Sequence, residues 1–406
     1  MSRTLEKEIL LQRIAWTVFF AAVITIYFPY LLAHLKSPKP AGDFSMYYTA
    51  GKMLLKGEGH RLYDLKRQLR YFPLSLKEST FLPFIHPPFE AVPFRFLAAL
   101  PYPKAYLLWS SANVLFLFLS MAFLGRAQFR PLLAAFAFSP VFSCFLNGQD
   151  SLLLFTFLTA SLLARNQGKN FLSGFLLGCT VFKPQLAVPL ALGFGARLGA
   201  KGRPFFFGFL LSAGLWALVS YGMLGPGGTL QFFQSLREWN EGRELYGLRP
   251  VFMANFRGLL SRQFPGMETA GGAIEWLPLG LWFLALGLIL HVNFNSRSSA
   301  KNTGSPLSRI LDAETVVWTL LASFHLNEHD LVLLLLPLLG APPLAGPRDA
   351  PARPAAFMYP LVFFMLSPVP YLLSFSLPKL EVLVLGELGL LLGCEIYRRK
   401  SLRKGI

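Results

Sequence analysis

Charged side chains are scarce in this chain: Asp, Glu, Lys and Arg make up 15% of 406 residues, against 54% apolar and 15% aromatic. So little charge, with a mean hydropathy of +0.48, excludes an ordinary soluble globule. Cysteine is scarcer still. Cys144, Cys179 and Cys394 each sit in or beside an apolar run, and their wide spacing excludes a disulfide framework or a cysteine-rich zinc site. Zinc-finger spacing, RNA-binding aromatic signatures and phosphate-cradling glycine loops are all missing, so the net charge of +17 does not point to nucleic acid. No small-residue cleavage site follows the first apolar run, which is therefore expected to be a retained helix and not a removed signal peptide.

What the sequence does contain is a series of apolar runs separated by short, mostly basic segments. Runs nearly free of charge cover 14–35, 105–124, 132–146, 152–164, 171–182, 186–196, 205–224, 274–292, 311–324, 331–345, 355–373 and 380–397. Backbone groups in lipid must be paired within their own segment, so the expected fold is an all-α polytopic membrane protein of about twelve helices. With the N-terminus inside, the segments 1–13, 125–130, 165–170, 197–203, 296–309, 346–353 and 398–406 carry 20 lysines and arginines, while the short outer turns hold only Lys183 and Lys379. That asymmetry predicts cytoplasmic termini and an inner collar of basic residues facing anionic lipid, the membrane itself being a partner. The proline-broken stretch 84–100 is expected to be interfacial or re-entrant. The short pair 171–196 is expected to bend at Lys183-Pro184, with Gly174 and Gly178 permitting close helix contact.

The polar sequences fall where the runs break, and on this topology they share the outer side. Asp43 is the first acid of a long first outer loop. Behind it Phe44, Tyr47, Tyr48, Gly51, Leu54 and Leu55 repeat at helical spacing, predicting an amphipathic helix on the membrane surface. Asp43 is then either the cap of that helix or a catalytic base, and the two are compatible. Asn147 and Gln149 can bond sugar hydroxyls, and Lys183 beside Pro184 and Gln185 offers a cation. In 325–330, His325, His329, Glu328 and Asp330 lie at a helix end, where they are expensive to keep unless they face water or substrate. A zinc helix is not expected, since position 326, where such a motif needs glutamate, is leucine. A second outer loop, 225–273, mixes Trp239 and Tyr246 with arginines, a pattern suited to anionic head groups or sugar faces.

Asp43 with Tyr47-Tyr48, Leu62-Tyr63-Asp64, Pro87-Pro88-Phe89, Trp109 to Asn113, Gly148-Gln149, Lys183-Pro184 and His329-Asp330-Leu331 occur in an order that resembles glycosyltransferase family 87. The likeness covers about 14–345 of a single integral membrane domain, with 346–406 adding C-terminal helices. It implies a GT-C-type fold in the plasma membrane. It also implies transfer of mannose or a pentose from a polyprenyl-phosphate donor to a glycolipid or glycan hydroxyl on the extracytoplasmic face, with inversion and without metal or other cofactor. The catalytic acid of that family falls on Asp43, and its histidine-containing turn on His325 and His329. The leaving phosphate needs fixed cationic or N–H donors, for which Lys183, His325 and His329 are the candidates. A polytopic secondary transporter and a lipid-linked oligosaccharide ligase or polymerase are the alternatives.

Overall fold

The computed structural model describes residues 42–73, 81–241, 255–264, 273–297 and 305–340, with scattered residues outside these ranges. The expected first span and most of 341–397 lie outside the described residues, as do Tyr246 and most of the second outer loop.

Thirteen α-helices are described here. They are α1 (Gly42–Leu55), α2 (Leu65–Tyr71), α3 (Ala91–Leu97), α4 (Tyr102–Phe123), α5 (Phe129–Phe136), α6 (Ser139–Asn147), α7 (Ser151–Asn166), α8 (Asn170–Gly178), α9 (Pro184–Arg197), α10 (Gly202–Glu241), α11 (Phe256–Gln263), α12 (Ala273–Ser296) and α13 (Pro306–Ala322). A 3-10 helix at Glu328–Leu334 and a π-helix at Leu336–Gly340 follow. Among the described residues, three stretches are long and apolar enough to cross a bilayer: Tyr102–Phe123, Gly199–Leu236 and Trp276–Ser296. Their outward faces carry exposed Leu107, Leu115, Phe118, Phe207, Leu218, Phe283 and Phe294, whereas Asn113, Ser120, Ser212 and Asn293 point inward and are buried. Apolar residues outward and polar residues inward is the arrangement that lipid as solvent selects.

Several expected spans are divided. The run 132–146 becomes α5 and α6, because Phe138 is extended and Pro140 opens a new helix in its first turn. The described part of the run 331–345, up to 340, is a buried 3-10 turn continued by the π-helix, where α-helix was expected. The stretch 84–100 is confined to a 3-10 turn at Pro88–Glu90 and the 7-residue α3, far too short to cross a bilayer, as expected for a non-spanning segment. The break at Lys183 between α8 and α9 is present, with Pro184 as the first residue of α9. Gly174 and Gly178 do permit close packing, but against α10: a Cβ on Gly174 would lie 1.8 Å from the Phe205 carbonyl oxygen.

Two expectations are corrected. The helix after Asp43 does not lie on a surface. Phe44 through Gly51 are all buried, with Tyr47 and Phe44 fully so, and α3 and α4 pack on the aromatic face of α1 through Phe94, Tyr102 and Tyr106. Arg165 and Arg197, counted in the lipid-facing basic collar, are buried on Asp312. Arg165 Nη2 lies 2.5 Å from Asp312 Oδ2 and Arg197 Nη1 2.8 Å from Oδ1. Arg197 also bonds Asn293 and the Ser308 carbonyl, locking α7, α9, α12 and α13 together. The 14 steps from Ser151 to Arg165 rise about 21 Å along α7. This arginine cluster therefore sits at the opposite end of α7 from the residues that follow.

Candidate active site

The turn between α6 and α7 organises the site. Gly148 closes α6 in the left-handed conformation, φ 64°, and a Cβ there would come 2.5 Å from that of Phe44, so glycine alone lets the turn sit against α1. Helix α4 clamps the same turn from its other side. Tyr106 donates to the Phe145 carbonyl at 2.7 Å, Trp109 Nε1 to that of Gly148 at 2.8 Å and Asn113 Nδ2 to that of Gln149 at 3.1 Å. Gln149, fixed in this way, donates through Nε2 to Asp43 Oδ2. Tyr47 donates to Gln149 Oε1 at 3.4 Å, and its ring is stacked on Phe94 at 4.6 Å. Asp43 is the second residue of α1, and its carboxylate is engaged across the site by Gln149. Burial raises its pKa above the ordinary value, outweighing the Gln149 bond and the nearby His86 and Lys183.

Lys183, at the break between α8 and α9, is buried beside this turn. Its Nζ lies 2.7 Å from Asp330 Oδ1, 2.9 Å from Asp150 Oδ1 and 2.7 Å from Ser151 Oγ. The Lys183 ammonium is thus engaged within the protein, by hydrogen bonds to Ser151 and Asp330 and by ion pairs to Asp150 and Asp330. Burial disfavours the charge on Lys183, but Asp150 and Asp330 override it and hold the pKa well above the ordinary lysine value. Asp330 is likewise buried and yet held far below the usual carboxylate range, chiefly by Lys183. Its second oxygen accepts the Asn327 N–H at 3.2 Å, which caps the 3-10 turn. His329 Nε2 stands 3.9 Å from Asp330 Oδ1. Burial lowers His325 and His329 to about 4, so both imidazoles are neutral at neutral pH.

A third group was not anticipated. His86 and Glu90 flank the two prolines of the first loop, with His86 Nδ1 at 2.9 Å from Glu90 Oε2. Tyr63 donates to the His86 carbonyl at 2.7 Å, and Gln68 braces Phe84 through its main-chain N–H and carbonyl. Glu90 reaches the Asp150 carboxyl and the Tyr47 hydroxyl. Burial lowers His86 to about 4 and raises Glu90 well above its ordinary value, while Lys183 keeps Asp150 lowered against its burial. His86, Glu90 and Asp150 offer ligand atoms within 4.8 Å of one another, a set able to hold a metal ion. A sequence signal for these acids exists: from 79 to 237, Glu90 and Asp150 are the only acidic residues.

The family model for glycosyltransferase family 87 matches residues 84–305, more than half of the chain. The chain belongs to glycosyltransferase family 87. It is a membrane glycosyltransferase, working on a sugar donor and an acceptor. No curated protein and no solved structure matches it. The family match takes in His86, Glu90, Gln149, Asp150 and Lys183, and leaves Asp43, Tyr47, His325, His329 and Asp330 outside it.

Not every expected residue of this family member meets the others. Tyr48 donates to the Leu100 carbonyl at 2.8 Å, and Asn147 to Ser143 Oγ at 3.2 Å. Gln185 offers its main-chain carbonyl to Trp282. Asn327 Nδ2 is 3.5 Å from His325 Nε2, and Ser323 holds the His325 carbonyl at 2.6 Å. Glu328 accepts from Ser139 at 2.7 Å, tying the histidine turn to α6. A cavity of about 420 Å³ lined by Gly168, Lys169, Asn170, Phe171, Leu172 and Pro204 lies past the C-terminal end of α7, away from all these groups.

Proposed function

We propose that this glycosyltransferase moves a sugar from a polyprenyl-phosphate donor to a hydroxyl of a glycolipid or glycan, with inversion, and that Asp43 is the base. A sugar hydroxyl is a weak nucleophile, so a carboxylate within hydrogen-bond reach must accept its proton as the new bond forms. The observation that carries this reading is Asp43 itself, a half-buried carboxylate aimed by Gln149, with Tyr47 aiming Gln149 in turn. A desolvated carboxylate with a raised pKa accepts a proton more readily than one in water. The position of the buried arginines at the far end of α7 is consistent with a site on the extracytoplasmic side, since basic residues favour the inner end. His329 stands close enough to Asp330 to be oriented by it and to donate an N–H to the leaving phosphate. The prenyl chain would lie among the exposed apolar side chains of the lipid-facing helices, which gives the enzyme its reason to be integral.

Asp43→Asn keeps the shape of the side chain and removes the proton acceptor. Transfer of radiolabelled sugar from polyprenyl phosphate by the purified variant should fall by roughly a hundredfold or more, with donor binding retained. Activity within a few-fold of the parent would remove Asp43 from the reaction.

A further inference from the structure

Two buried carboxyl groups meet in the candidate site. Glu90 reaches the Asp150 carboxyl, and the two residues are 6% and 1% exposed. An ionised carboxylate only accepts hydrogen bonds, so two of them in contact repel and cannot bond. Glu90 Oε1 and Asp150 Oδ2 are buried with no hydrogen-bond donor from any other group. The ion-pair partner of Glu90 among the described residues is His86, at 2.9 Å, and that imidazole is neutral at neutral pH. A single proton shared between the two acids turns their repulsion into a hydrogen bond.

The surroundings decide which acid carries it. Asp150 lies 2.9 Å from Lys183 Nζ, which holds its carboxyl below the ordinary value against burial. Glu90 is raised well above the ordinary value, first by burial and then by Asp150. The proton therefore belongs to Glu90, which donates to Asp150 and accepts from His86 Nδ1 at 2.9 Å. Tyr47 ties this acid to the proposed base. Its hydroxyl reaches Glu90 and donates to Gln149 Oε1 at 3.4 Å, and Gln149 Nε2 donates to Asp43 Oδ2. A bond that long is weak, and an anionic Glu90 would draw the tyrosine hydrogen into a charge-assisted bond roughly twice as strong as a neutral one. Gln149 would then lose the contact that fixes its amide. A neutral Glu90 leaves the tyrosine hydrogen on Gln149, and Asp43 stays aimed.

We infer that Glu90 is a positioning residue for the proposed base: it keeps a proton shared with Asp150, and in that neutral form it leaves Tyr47 and Gln149 to orient Asp43. The shared proton stands on the contact between the two carboxyls alone; the positioning role rests on Asp43 being the base. Lys183 gains a part in the same arrangement. By holding Asp150 ionised, it directs the proton to Glu90.

Infrared spectroscopy of the purified protein in detergent reads the proton directly. At neutral pH, the difference spectrum between parent and Glu90→Gln should contain the C=O stretch of a carboxylic acid, and that band should shift in D₂O. A difference spectrum with carboxylate stretches alone would overturn the shared proton. Transfer of radiolabelled sugar from polyprenyl phosphate reads the positioning. Glu90→Leu removes both donor and acceptor and should lower kcat by roughly ten- to a hundredfold, with little change in the KM for donor. Glu90→Gln copies the neutral acid, with an N–H for Asp150 and a carbonyl for His86, and should recover most of that loss. Where Glu90→Leu does not fold, Glu90→Asn draws the same amide back by one methylene and should show the same loss. Glu90→Gln as inactive as Glu90→Leu, or Glu90→Leu as active as the parent, would overturn the positioning role. A parent protein that transfers no sugar from polyprenyl phosphate would overturn the donor assignment, and the infrared band alone would then decide whether Glu90 holds the proton.

Discussion

Replacing Lys183 by methionine probes the centre of the site through stability instead of turnover. The substitution keeps most of the volume and removes an ammonium that stands 2.7 Å from Asp330 and 2.9 Å from Asp150, all three groups being at least nine-tenths buried. Each contact is worth about 6 kcal/mol in Coulomb terms at an effective dielectric of about 20, most of which offsets desolvation. Removing one partner leaves the others buried and unpaired, for a net loss of about 3–5 kcal/mol. Spread over the unfolding entropy of a chain this long, that is a fall in thermal midpoint of roughly 5 °C. The midpoint can be followed in detergent by the fluorescence of the 7 tryptophans. The decisive variant is the double substitution Lys183→Met with Asp330→Asn. It removes one of the two stranded carboxylates while keeping an oxygen to cap the Asn327 N–H, so it should recover a measurable part of the loss. A double variant no more stable than Lys183→Met alone would refute the charge-pair reasoning. A single variant of parental stability but impaired donor use would return Lys183 to the lipid phosphate.

Other consequences follow from the same geometry. Because burial raises the Asp43 pKa, its protonated and inactive form persists to higher pH than for a free carboxylate. Transfer should therefore be lost as pH falls, through a midpoint above about 4, and a profile of kcat/KM flat down to that pH would contradict the assignment of the base. Asp312→Asn strands the guanidinium groups of Arg165 and Arg197 at the other end of α7 and should lower the thermal midpoint about as much as Lys183→Met. Gly174→Leu drives a side chain into the Phe205 carbonyl and should separate α8 from α10, seen as loss of folded protein in size-exclusion profiles; normal yield would deny that close contact.

The amount of charge and the length of the apolar runs were enough to establish a helical membrane protein, because lipid leaves a backbone no alternative to pairing within its own segment. The ordered polar breaks were enough to suggest the family, and they include Gln149 and Lys183, which the fold does bring together with Asp43 and Asp330. Periodicity misjudged α1, since the spacing of Phe44, Tyr47 and Tyr48 marks one apolar face but says nothing of Ser45, Thr49 and Ala50, which the fold also buries. It missed the division of 132–146, where one extended residue before a proline outweighs an unbroken apolar run. Glu90 and Asp150 stood alone in the sequence from 79 to 237, and that isolation marked them as unusual. Only tertiary structure decided what they face. A charge in a sequence has no partner until the chain is folded, and here the partners of Lys183 lie 33 residues before it and 147 after it.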